Sequence, residues 1–234
     1  MSAFKDQLNE GVNAIVRISQ HEGVLLGEAC ATSAVPVLEW VSWYKDFRPN
    51  SEAQELLDGT RAAVLETAAY VGMGLCRAAL SALRAQIDLL LGFSYFREHP
   101  AEWRLVNWTG DGFKLRSEIV KYHKDMDPTT GGFAFRLGMI DQMCKPTLED
   151  CYRILSAHVH GQSTHTMPKS AAISNLICAK EVLEQVVDLQ KKSAIALSSF
   201  LLAVHAKEWN DLPKPVIDRG VAVLTKEQRT LFFS

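Results

Sequence analysis

Residues 61–96 read RAAVLETAAYVGMGLCRAALSALRAQIDLLLGFSYF, and this stretch decides the fold. Ala, Leu, Arg, Glu and Gln are good helix formers and fill most of it. Apolar residues fall on most faces of a 3.6-residue period, which predicts a central helix buried on nearly all sides. Asp58-Gly59-Thr60 marks its start. A second long apolar-periodic stretch, 171–207, carries Ile173, Leu176, Ile177, Val182, Val186, Ile195 and Leu201 near one stripe. The two are expected to pack antiparallel as the spine of a bundle.

The rest of the chain reads as shorter helices. Residues 3–34 place Phe4, Leu8, Val12, Ile15 and Val16 at helical spacing, with Gly23 and Gly27 as candidate breaks. Pro36 opens a helix over 35–47 that holds Trp40, Trp43 and Tyr44. Arg48-Pro49-Asn50-Ser51 is a turn, with Ser51 as N-cap and Gln54 three residues on. Pro100 starts a short helix over 101–106, and Trp108 to Gly112 form a turn. Further helices are expected over 113–125, 133–144, 147–160 and 225–232, with loops at 127–132 and 161–169. Alternation of the kind that marks strands is nearly absent. The fold class is therefore all-α: a helical bundle with two long antiparallel helices and several short capping helices. Residues 1–50 form an N-terminal helical extension, 51–210 the bundle, and 211–234 a tail with one short helix.

Composition limits the function. Among 234 residues, 25 Lys plus Arg balance 27 Asp plus Glu, for a net charge of −2, so binding nucleic acid by bulk charge is excluded. Hydrophobic residues are 47% and charged residues 22%, as in ordinary globular domains. The five cysteines, Cys30, Cys76, Cys144, Cys151 and Cys178, are odd in number and form no C-x-x-C pair, which argues against a disulfide framework or a zinc ribbon. They read as core fillers in a reducing compartment. The N-terminus is charged where a signal peptide needs an apolar run, and the apolar stretch 193–206 is shorter than the roughly 20 residues that span a bilayer. A soluble cytoplasmic protein without a membrane segment is expected. Trp40, Trp43 and Tyr44, with Phe232 and Phe233, are a candidate apolar docking patch.

No phosphate-binding glycine loop, H-E-x-x-H or G-x-S-x-G is present. Chemistry must therefore come from helices and their ends. The densest polar cluster is residues 149–161, EDCYRILSAHVHG. Leu148, Cys151, Tyr152, Leu155 and Val159 make one buried stripe. Arg153, Ser156 and His160 make a second, and Gly161 is a C-cap. An arginine, a hydroxyl and an imidazole thus converge at a helix end, beside a loop with Gln162 and His165. His158 lies about 140° from Arg153 on a straight helix, so geometry favours Arg153 with His160. Simple complementation of the helix dipole by Arg and His is the structural alternative. His158, His160 and His165 are also a weaker metal-ligand alternative. Arg77 and Arg84 share one stripe of the central helix, and Asp88 lies one turn beyond Arg84, as an ion pair would. Trp103, Trp108, Phe113 and Tyr122 stand among basic residues in 97–125, but the acids there leave a near-neutral, solvated face.

An Arg-x4-His or Arg-x6-His pattern late in an all-α chain resembles the HEPN domain signature. Tyr152-Arg-Ile-Leu-Ser-Ala-His-Val-His-Gly161 is similar to the Tyr-x-x-Leu-Ser-x-x-Val-His-Gly of HEPN-like phage-resistance (Abi-type) bacterial proteins. Residues 83–88 and 96–103 add to the likeness, which spans about 60–205. The resemblance implies a metal-independent endoribonuclease in anti-phage defence or growth arrest, needing no cofactor and no metal. It implies a homodimer, RNA as substrate, and an inhibitory or triggering protein partner. On that reading Arg153 holds the scissile phosphate, His160 or His158 is the acid/base, and Ser156 orients phosphate or imidazole. Gln162, His165 and Arg84 contact RNA. The chemistry is self-consistent: a ribose 2′-hydroxyl is the nucleophile, His titrates near neutrality, and Arg forks onto a phosphate. The position after the arginine, often polar in active members, is Ile154 here. That residue favours the alternative of a non-catalytic helical module binding a nucleotide, RNA or protein.

Overall fold

The stretch that decides the fold turns back on itself. In the computed structural model, which describes residues 2–47, 49, 51–128, 132–143, 145–167, 172–222 and 224–233, it forms two helices. These are α4 (Glu55–Gly72) and α5 (Cys76–Phe96). The chain reverses at Met73-Gly74-Leu75, where Gly74 takes a φ of +80°. A side chain there would be strained, and its Cβ would meet Ile177 Cγ2 at 2.8 Å. The single helix expected over 61–96 is therefore corrected to an antiparallel hairpin. Asp58-Gly59-Thr60 does not break the chain but lies inside α4.

Among the described residues there are twelve α-helices, one π-turn and two 3₁₀ turns, with no strand. The remaining helices are α1 (Ser2–Ile18), α2 (Val24–Ser33), α3 (Val35–Phe47), α6 (Pro100–Thr109), α7 (Arg116–Met126), α8 (Phe133–Met143), α9 (Leu148–His160), α10 (Lys180–Val204), α11 (Lys214–Val221) and α12 (Lys226–Phe232). The all-α reading holds. The second long helix begins at Lys180 rather than residue 171, after a 3₁₀ turn at Ile173–Leu176. The readings of Cys144, of residues 129–131 and of Pro168 lie outside the described residues.

Helix α10 packs on α2, α3, α5, α8 and α9. Its direction relative to α5 is set by contacts at two levels. The Cys178 amide, just before α10, donates to Gly74 O just before α5, at 2.9 Å. Farther along both helices, Gln86 and Gln190 exchange amide hydrogen bonds of 2.9 and 3.0 Å. Helices α5 and α10 therefore run parallel, and the antiparallel partner of α5 is α4. The expected antiparallel spine is corrected accordingly.

Glycine explains a second departure. Gly23 and Gly27 do not break the N-terminal helix; a π-turn (Ser19–Gly23) carries α1 into α2. A Cβ on Gly23 would meet Gly72 O at 2.1 Å, so small residues let α2 lie directly on the α4 backbone. Most of α1 is exposed, and Phe4, Leu8, Val12 and Val16 face outward. Helix α3 belongs to the main core: Trp40 and Tyr44 are fully buried, and Trp43 nearly so. Phe232 is buried as well. Of the expected docking patch, Trp40, Trp43, Tyr44 and Phe232 are thus interior and Phe233 is half-buried. Trp40 Nε1 donates to Ser198 Oγ on α10 at 2.8 Å, which satisfies the indole at depth.

Candidate functional site

Helix α9 forms as its sequence dictates. Thr147 caps it: the Asp150 amide donates to Thr147 Oγ1 at 3.3 Å, and the Thr147 amide donates to Asp150 Oδ2 at 3.2 Å. Gly161 ends it with a φ of 59°. Leu148, Cys151 and Leu155 are buried along one stripe. Acids in its first turn and histidines in its last suit the helix dipole. The helix runs back along α5: Arg77 Nη2 donates to Val159 O at 3.1 Å, while Arg84 reaches Tyr152 nearer the α9 start.

The centre of this face is Arg84. Its Nη1 lies 2.8 Å from His160 Nε2, and its Nη2 donates to Tyr152 Oη at 3.0 Å. Its Nε lies 3.3 Å from Asp88 Oδ2, the expected one-turn ion pair. The Arg84 and Arg116 guanidiniums lie 5.1 and 5.3 Å from the Tyr152 ring centre. Arg116 also pairs with Glu149. Burial raises the Asp88 carboxyl above its ordinary range, and Arg84 and Tyr152 oppose that shift. Burial and the Asp88 charge raise the Tyr152 hydroxyl. A guanidinium only donates, so His160 Nε2 accepts from Arg84 and the imidazole proton sits on Nδ1.

The residues expected to act with His160 lie apart from this contact. Arg153 is exposed, and its ion pair is with Asp150 at 3.9 Å, on its own helix. The expected pairing of Arg153 with His160 is corrected: Arg84 from α5 holds the imidazole instead. Ser156 is half-buried, and Gln162 and His165 are exposed in the loop after α9. Loop residues Ser163 and Thr166 are tied to each other, with the Ser163 amide donating to Thr166 Oγ1 at 3.0 Å.

His158 points elsewhere. With Ile154, Leu80, Val182, Val186 and Lys192 it lines a mainly apolar cavity of about 400 Å³ between α5, α9 and α10. Burial, and then the charge of Arg77, lower its basicity. Since His160 faces Arg84 and His158 faces this cavity, the three-histidine metal arrangement does not assemble. Among the described residues no group of three His, Cys, Asp or Glu side chains could hold a metal ion.

The structure also assembles a polar cluster that sequence reasoning missed. Tyr44 Oη lies 2.7 Å from His205 Nε2, and His205 Nδ1 lies 2.6 Å from Glu208 Oε2. Nearby, Ser94 Oγ is 3.3 Å from His123 Nε2. Ser94, Arg97, His123, Lys207 and Glu208 line a cavity of about 310 Å³. Burial is the main cause that lowers His123 to about 3, and the neighbouring His205 and Arg97 charges add to it. These groups come from α3, α5, α7 and the turn after α10, so apart from local pairs such as His205 and Glu208, three positions apart, no spacing in the sequence links them.

The chain matches no protein-family profile, and no curated protein or solved structure is significantly similar to it. Among the described residues no single helix is long and apolar enough to cross a membrane.

Proposed function

We propose that the α5–α9 face is the phosphate-handling site of a metal-independent, HEPN-like endoribonuclease. The observation that carries the reading is the 2.8 Å contact of Arg84 with His160, set beside the Tyr152 hydroxyl. Cleavage of RNA through its 2′-hydroxyl requires a cation on the phosphate and a group that moves a proton near neutrality. Arg84 and His160 supply both and already touch. A docking phosphate competes for the guanidinium fork, which bonds a phosphate in a bidentate manner. Release of His160 Nε2 from Arg84 then frees its lone pair to take the 2′-hydroxyl proton. Exposed Arg153, on the His160 stripe of α9, steers the RNA backbone, and Gln162 and His165 extend the contact into the loop. A homodimer, and a protein partner that restrains or triggers the enzyme, belong to the same proposal.

The test is RNA cleavage by the purified chain in EDTA. Loss of cleavage in His160→Ala and Arg84→Ala, with His158→Ala active, supports the assignment. Cleavage that needs His158 but neither Arg84 nor His160 refutes it.

A second reading is a binding module without turnover. It is favoured by Ile154 and His158, which turn the other face of α9 into an apolar cavity wall. It predicts RNA or nucleotide binding that weakens in Arg153→Ala, with no cleavage in any variant.

A further inference from the structure

Two cysteines that are 102 positions apart meet at the elbow where α4 turns into α5. The Cys76 and Cys178 amides both donate to one acceptor, Gly74 O, at 3.2 and 2.9 Å. Their nitrogens cannot be farther apart than those two bonds laid end to end. With the two N–Cα bonds added, the Cα atoms lie within about 9 Å of each other, a bound that includes the roughly 4.4–6.8 Å a disulfide spans. The Cys178 thiol is near enough to raise the Cys76 thiol further, after burial. Both are free and half-buried, whereas Cys30 and Cys151 are buried.

The two thiols differ in access. Cys178 lines a surface groove of about 390 Å³ with Arg17, Lys180, His21 and Glu22, so two cations against one acid leave a rim that suits an anionic reagent. Cys76 lines instead the apolar cavity that His158 also lines.

We propose that Cys76 and Cys178 are a thiol–disulfide exchange site for an anionic low-molecular-weight disulfide of the glutathione class. Cys178 sulfur attacks one sulfur of the reagent, its S–S bond breaks, and one small thiol leaves with the Cys178 proton. Cys76 sulfur then attacks Cys178 sulfur, the mixed disulfide breaks, and the second small thiol leaves with the Cys76 proton. Two protein thiols are oxidised by two electrons, and one small disulfide is reduced to two thiols. The order follows from the environment. Burial is the main cause that pushes the Cys76 thiol up to about 12, so it is the poor first attacker. The Cys178 thiol contributes to that shift, and its contribution ends once Cys178 is in the mixed disulfide. The product bond ties the α4–α5 elbow to the segment entering α10. It sits beside Arg77, which holds the end of α9. The proposal does not depend on the nuclease reading.

The experiment treats the folded full-length chain with oxidised glutathione, blocks remaining thiols, and maps peptides without reduction. The expected result is a Cys76–Cys178 cross-link, a loss of two hydrogens from the intact mass, and reversal by dithiothreitol. Cys76→Ser should stop at a glutathione adduct on Cys178, and Cys178→Ser should give no adduct on Cys76. A wild-type chain that stays unmodified, keeps a lasting adduct on Cys178, or cross-links a different pair overturns the proposal. The wild-type result decides the matter even if a serine variant fails to fold.

Discussion

The buried amide pair between α5 and α10 should behave as a coupled unit. Gln86 and Gln190 are each 1% exposed. Gln86 Nε2 donates to Gln190 Oε1 at 2.9 Å, and Gln190 Nε2 donates back to Gln86 Oε1 at 3.0 Å. Gln86 Nε2 also donates to Thr67 Oγ1 on α4 at 2.7 Å, so the pair ties three helices together. In Gln190→Leu, Gln86 keeps Thr67 but its Oε1 loses its donor. In Gln86→Leu, both ends of the Gln190 amide lose their partner. A buried polar group left unsatisfied costs about 1–3 kcal/mol, whereas apolar replacement of both partners is nearly neutral. Each single variant should lose about 1–3 kcal/mol, or roughly 2–10 °C in Tm for a chain of this length. The double variant should be clearly more stable than the sum of the single losses predicts, with a coupling of about 2 kcal/mol or more. Urea unfolding followed by far-UV circular dichroism measures all four corners of the cycle. Additive losses, with a coupling below about 0.5 kcal/mol, would refute the reasoning.

Four further outcomes are expected. Gly74→Ala places a Cβ at a φ of +80° and 2.8 Å from Ile177 Cγ2, and should cost about 2–4 kcal/mol. Gly138→Ala in α8 meets nothing within 4 Å and should be neutral or stabilising in the same urea titrations. His123 is lowered from 6.5 to about 3 in the fold, so below pH 6.5 the unfolded chain takes up a proton that the native chain does not. Stability should therefore fall as pH drops from 6.5 toward 3, by up to about 1.4 kcal/mol per pH unit from this group, and pH-dependent urea titrations of His123→Gln should show a shallower fall. Arg84→Ala removes the donor to Tyr152 and the cation beside Asp88, and should cost about 2 kcal/mol while leaving a cooperative melt. An unchanged melting temperature for Arg84→Ala would mean that the cluster contributes nothing to α5–α9 docking.

Much of the fold was legible because it is written locally. Helical period and the Gly161 stop define α9 almost to the residue; of its expected buried stripe Leu148, Cys151 and Leu155 are buried, while Tyr152 and Val159 are only half-buried. The reversal at Gly74 was not legible, because Met73 and Leu75 keep the apolar pattern running through it. The direction of α10 was hidden for a related reason: periodicity says which face is buried and nothing about the partner's orientation. Gly23 illustrates an ambiguity of residue type, since the same glycine serves as a helix break or as a contact against a neighbouring backbone. Of the candidate site, His160 and the Arg84–Asp88 pair were visible in sequence, but their meeting across 76 positions depends on tertiary packing. Arg153 looked like the partner of His160 because both share a stripe; seven positions apart on a helix, the two side chains are still about two turns apart. The Tyr44–His205–Glu208 cluster left no trace in any single motif.

The central claim is that Arg84 and His160 act together on RNA. The most direct measurement is cleavage of a mixed RNA pool in EDTA by the wild-type chain, Arg84→Ala and His160→Ala, each checked for a cooperative melt. The account predicts cleavage by the wild-type chain that survives the chelator and falls by at least about a hundredfold in both variants, the scale expected for losing an acid/base or a charge-stabilising group. Cleavage retained at wild-type rate in folded His160→Ala would contradict it.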